Sequence, residues 1–209
     1  MTPIQEFTQR IKISLRRDWP LFLLMLLFFI AGIWLGGLLP KTNPDMAKTV
    51  EEMITHKFGA MKEQLKNMPF FIWILAIFIN NINASIFSFI LGTTIIGPAF
   101  FVMAQGVIIG LFQKITETSH ISVTKFYLSL SPHGIIELSA IFIISGLGVR
   151  FGLTLWRSVW RYLTGKENEG LLKNFFVEMK DYLLLFIIML FTAAIVEVTI
   201  SPMVLQSKV

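Results

Sequence analysis

Five stretches of this chain are long and apolar enough to cross a lipid bilayer, and that property limits its fold more than any other. Pro20 to Leu39 runs without a single charge. As a helix it covers about 30 Å, the thickness of a hydrocarbon core. Further apolar runs cover residues 69–91, 98–112, 131–156 and 182–200. In lipid, every backbone polar group must find its partner inside the protein, which selects helices for spans of this kind. Only 15% of the residues are charged and 55% are hydrophobic, with a mean hydropathy of +0.70. An ordinary soluble domain carries about 25% charged residues. The fold class expected is all-α: a polytopic membrane bundle of five transmembrane helices with added amphipathic surface helices, in one integral membrane domain over residues 1–209. Such a chain has no room for a separate soluble catalytic domain.

The segments between the spans are patterned too. Ile4, Phe7, Ile11 and Leu15 recur at three- and four-residue spacing with basic residues between them, and Thr2-Pro3-Ile4-Gln5 fits a capping box with proline at the first helical position. Residues 2–18 therefore read as an interfacial helix on the membrane surface. The flank Arg10, Lys12, Arg16, Arg17 resembles a signal-peptide n-region, but the following run is long and has no cleavage-site pattern, so it reads as a retained span. Residues 43–68 carry apolar residues such as Met46, Val50, Met53, Ile54 and Leu65 at helical spacing, opposite a Lys- and Glu-rich face. That pattern predicts an outer amphipathic helix covering the bundle or docking an external partner. Residues 114–130, with Lys114, Glu117, His120 and Lys125, form an outer connection. Residues 157–180 read as inner-loop helices joined through a linker that includes Asn168 and Glu169, and they either lie on the membrane or receive a cytoplasmic partner.

The net charge of +5 comes from basic residues that bracket the spans. This placement points to membrane topology and lipid contact, and away from nucleic acid. Arg10, Arg16, Arg17, Arg150, Arg157 and Arg161 all fall on one proposed side, whereas lysines such as Lys41, Lys48 and Lys208 fall on the other. The expected location is the cell membrane, multi-pass, with the N-terminus cytoplasmic and the C-terminus outside. Cysteine is absent, which excludes disulfides, thiolate metal sites and a cysteine nucleophile.

Within the apolar runs stands a set of polar residues: Asn80, Asn81, Asn83, Gln105, His133 and Glu137. An ionisable residue at the centre of a membrane helix costs about 2.5–3.5 kcal/mol on insertion scales. His133 and Glu137 are four residues apart and share a helix face. A neutral carboxylic acid there can donate to an asparagine oxygen, while an ionised one needs an imidazolium or several amide donors. Two readings follow. The cluster either holds neighbouring spans in register or lines a path for protons, ions or a polar substrate. One histidine with one carboxylate is only half of a metal site, so no metal and no cofactor is expected. A Ser131–His133 dyad is geometrically poor, because residues two apart face differently, and no catalytic residue is assigned. Glu197, near the end of the last run, reads as a water-solvated group. Gly32 with Gly36, Gly106 with Gly110, and Gly148 with Gly152 have the small-xxx-small spacing that lets helices approach closely, either inside the bundle or in a homo-oligomer.

Asn80-Asn81 followed by Ala84, Phe87, Gly92 and Gly97, Gln105-Gly106, and then Pro132-His133-Gly134-Ile135-Ile136-Glu137 with Ala140-Ile141-Phe142 and Gly146 to Gly152 together resemble the stage II sporulation protein M family. The resemblance covers residues 70–155, and its Pro-His-Gly-x-x-Glu part is the most specific. It implies a multi-span membrane protein without established catalytic residues. The namesake anchors a membrane complex with two cell-wall-degrading partners during engulfment, and relatives occur in organisms that never sporulate. The expected function is a non-enzymatic membrane scaffold that recruits or positions membrane or cell-envelope proteins, cell-wall hydrolases by resemblance. The alternative is a transporter or permease subunit with its polar path through the Asn/His/Glu cluster.

Overall fold

The computed structural model describes residues 2–118, 123–167 and 170–200. His120, Asn168, Glu169 and Lys208 lie outside the described residues, as does the side chain of Lys125. The fold is all-α: α1 (Pro3–Thr42), α2 (Pro44–Leu65), α3 (Phe70–Leu91), a 3-10 turn (Gly92–Thr94), α4 (Gly97–Thr118), α5 (Val123–Leu163) and α6 (Leu171–Thr199). All but α2 among the α-helices are long and apolar enough to cross a membrane.

Close approaches give the helix directions. Gly32 lies against Met103 and Gly106, and Gly36 against Val107, so α1 and α4 run side by side in the same sense. Ser88 and Ser145 share a 2.7 Å hydrogen bond and Gly92 abuts Gly148, so α3 and α5 are also parallel. α6 opposes α3: Phe78 meets Phe191 at 5.5 Å between ring centroids, and Phe89 meets Phe175 at 6.5 Å. α5 is central and touches α1, α3, α4 and α6. Its face with Ala140, Ile144 and Leu147 packs on Tyr182, Phe186 and Leu190 of α6. Its Ile141 and Val149 pack on Met25 and Phe29 of α1 and on Ala99 and Val102 of α4. The start of α1, the α3–α4 turn and the end of α5 consequently share one end of the bundle. All six arginines are on these segments at that end, called here the arginine end.

Besides the connection 114–130, whose ends prolong α4 to Thr118 and start α5 at Val123, two boundaries differ from the sequence expectation. Residues 2–18 are not a separate helix on the surface: α1 runs unbroken through Pro20. The capping box at Thr2 and Gln5 is present as expected. An interior proline removes one ladder hydrogen bond, yet membrane helices tolerate it where neighbouring groups compensate. Here the first turns are tied to the bundle, with Ile11 buried and Arg10 bound to Asp181 of α6 by two hydrogen bonds of 2.7 and 3.2 Å. The other boundary is in residues 157–180, which do not form two free surface helices. Residues up to Leu163 prolong α5, and those from Leu171 begin α6. Trp156 is held against the α3–α4 turn, its indole N–H donating to the Thr93 carbonyl at 2.8 Å. In that turn Ile95 adopts φ 65°, unusual for a β-branched residue, with its side chain against Gly152.

The amphipathic segment is α2, and it leans on α1 and α4. Asn43 ends α1 and caps α2, its Oδ1 accepting from the Met46 N–H at 3.1 Å. Ala47 and Leu65 are buried, whereas Met46 and Met53 of the expected apolar stripe are exposed. Because α2 has so few tertiary contacts, its cap matters. Asn43→Ala should destabilise it by about 1 kcal/mol, read as faster amide hydrogen exchange confined to residues 44–65.

Candidate functional site

Two polar layers cross the bundle. The first is at the arginine end and joins three helices. Asp18 of α1 is buried. It accepts from Arg150 of α5 at 3.0 Å and from the Tyr182 hydroxyl of α6 at 2.9 Å, while Arg17 binds it through two bonds of 3.1 Å. Glu178 completes the layer, bound by Arg150 and, at 2.9 Å, by Arg17. The Arg150 guanidinium also sits 5.5 Å from the centroid of the Phe175 ring, close enough for a cation–π contact. Two guanidinium groups thus face two carboxylates, which balances the charge of the layer.

The second layer contains His133, Glu137 and Glu197. One ligand-capable atom from each lies within 4.8 Å of the others. His133 is buried and both glutamates are half-buried. The three are about 20–28 Å from the ionic layer, counting the rise along α5 from Arg150 to Glu137 and along α6 from Glu178 to Glu197. That distance approaches the thickness of a hydrocarbon core, about 30 Å, so the two layers lie toward opposite ends of the apolar bundle. Glu197 reads from the sequence as a water-solvated group; antiparallel packing of α6 on α5 leaves it half-buried and brings it beside Glu137.

The amides behave differently from one another. Among the described residues, the side-chain hydrogen bond recorded for them runs within α3, from Asn80 Nδ2 to Asn81 Oδ1 at 3.3 Å. Asn83 is exposed, so it does not belong to a buried cluster. Gln105 is half-buried on α4. Asn81 is 7% exposed and its Nδ2 has no hydrogen-bond partner, and neither does the buried Ser85 Oγ. The Ser88–Ser145 contact sets the register of α3 on α5, and two turns back from it Asn81 comes to the depth of Leu138, next to Glu137. The buried face of α3, Asn81, Ser85 and Ser88, is thus a polar stripe that starts near the depth of Glu137 and approaches the arginine end.

The family model for stage II sporulation protein M matches residues 25–202. The chain belongs to that family. No curated protein and no solved structure matches it. The family match extends well beyond the 70–155 stretch that carries the sequence resemblance, and takes in Arg150, Glu178, Tyr182 and Glu197.

In this stage II sporulation protein M family member, the small-residue pairs meet inside one chain. A Cβ on Gly32 would clash with the Met103 carbonyl, one on Gly36 with that of Val107, and one on Gly106 or Gly110 with Phe29 or Ile33 backbone. Gly148 and Gly152 similarly admit the backbone around Phe89 and Gly92. Sequence reasoning missed the ionic layer. Asp18, Arg150 and Glu178 each resemble ordinary flanking charges, and no spacing rule links residues so far apart in the chain.

Proposed function

We propose that this chain is a non-enzymatic membrane scaffold that holds partner proteins at the arginine end of its bundle, which by the positive-inside rule faces the cytoplasm. The C-terminus then lies outside. The observation that carries this reading is helix length: α1 and α5 are each about 60 Å long, twice the hydrocarbon thickness. Pro3 to Arg17 precede the ionic layer along α1 and Phe151 to Leu163 follow it along α5, each about 20 Å of helix. The layer ties both extensions to α6, so they project as a fixed platform. Trp160, Tyr162 and Leu163 on α5 are 67, 79 and 71% exposed. Aromatic residues of this kind anchor protein interfaces. Family membership fits an anchoring role, and cell-envelope proteins are the partner class it favours.

The test is affinity capture of the full chain from mild detergent extract. A stoichiometric partner should be recovered, and Trp160→Ala with Leu163→Ala should lose it while the bundle stays folded. Recovery of no such partner would count against the scaffold.

A transporter subunit is the second reading, favoured by the buried stripe Asn81, Ser85 and Ser88 between the two polar layers. The native chain lacks cysteine, so a single Cys at position 137 reports directly. Reaction with small aqueous thiol reagents supports a path, and inertness removes it.

A further inference from the structure

We propose that His133, Glu137 and Glu197 bind one divalent transition ion of the zinc type, through one imidazole nitrogen and two carboxylate oxygens. The proposal is independent of the scaffold reading. Its ground is that α5 supplies two ligands one turn apart and α6 supplies the third, all within 4.8 Å of one another. Zinc–nitrogen and zinc–oxygen bonds of about 2.0–2.2 Å need the atoms somewhat closer, a contraction that small side-chain rotations provide.

Charge points the same way. Two carboxylates side by side in apolar surroundings repel, and the cost of burying each grows as water is removed. Among the described residues, no lysine or arginine forms an ion pair with either glutamate. The ionic layer, where the buried Asp18 has two guanidinium partners, shows how this chain balances charge elsewhere. A dication held by two carboxylates and a neutral imidazole gives a neutral assembly. The donor set also selects the ion. Imidazole disfavours calcium and magnesium, which take oxygen ligands, and no thiolate is present. Three protein ligands leave one coordination position open.

The experiment uses the full chain in detergent with any affinity tag removed, stripped with chelator, re-equilibrated with zinc and desalted. Metal content is read by mass spectrometry and folding by circular dichroism and thermal unfolding. One zinc per chain is expected, together with a raised unfolding temperature that excess magnesium does not reproduce. Glu197→Gln and His133→Gln should each weaken zinc binding more than about tenfold. A surface control, His56→Gln with Glu52→Gln on α2, should retain full binding. If Glu197→Gln fails to fold, Glu137→Gln supplies the same readout. A chain that keeps no zinc, variants that bind as well as the native chain, or binding abolished by the α2 control would each overturn the proposal.

Discussion

Arg150→Met should destabilise the bundle by about 3–5 kcal/mol, because one guanidinium then faces two carboxylates, one of them buried. Asp18 is the group left behind: its side chain is 5% exposed, against 20% for Arg150. Arg17 would still bind Asp18, but from a side chain 44% exposed, where solvent screens the interaction. The effect is measured as the unfolding temperature of the purified chain and as the fraction that elutes monodisperse. Two companion variants separate pair loss from packing loss. Tyr182→Phe removes a single hydrogen bond to Asp18 and should cost about 1 kcal/mol. The double variant Asp18→Asn with Arg150→Met should recover part of the loss, because one guanidinium then faces one carboxylate. If Arg150→Met alone unfolds no more easily than Tyr182→Phe, the ionic layer does not hold the three helices together.

That layer also shows where sequence reasoning stops. The spans were legible because hydropathy over twenty residues is a sum, and single polar residues hardly perturb it. Contacts between spans are a different matter. Asp18 and Arg150 are 132 residues apart, and each is explained locally as a flank charge. Glu197 read as solvated because its neighbours along the chain end the apolar run. Only the antiparallel register of α6, fixed by pairs such as Phe78 with Phe191, reveals that it faces Glu137. Asn83 failed in the opposite way: it is three residues from the half-buried Asn80, which groups them on an ideal helix, yet the buried stripe of α3 runs through Ile77, Asn81, Ser85 and Ser88 and leaves Asn83 outside. Pro20 misled because proline is a better signal of a helix start than of a helix interior, and only the Arg10–Asp181 and Asp18 contacts show why the chain continues straight.

Gly36→Ala and Gly37→Ala should have opposite effects although they are adjacent. A Cβ on Gly36 falls on the backbone carbonyl of Val107, which cannot move without separating α1 from α4. Overpacking of this kind costs about 1–3 kcal/mol and sometimes more. A Cβ on Gly37 comes no closer than 4.0 Å, to the Gly110 carbonyl. There the methyl group fits, and alanine's helix preference should stabilise α1 by about 0.5–1 kcal/mol. Gly152→Ala should behave like Gly36→Ala, since its Cβ would meet the Gly92 carbonyl and push α5 away from the α3–α4 turn. Thermal unfolding of the three variants in one detergent orders them directly. Small-residue stripes that served contacts between copies of the chain would instead change the oligomeric state and leave the unfolding of the monomer alone. A loss of stability in Gly36→Ala at constant oligomer size is therefore the outcome that an intrachain α1–α4 seam requires, and a stable but dissociated Gly36→Ala protein would refute it.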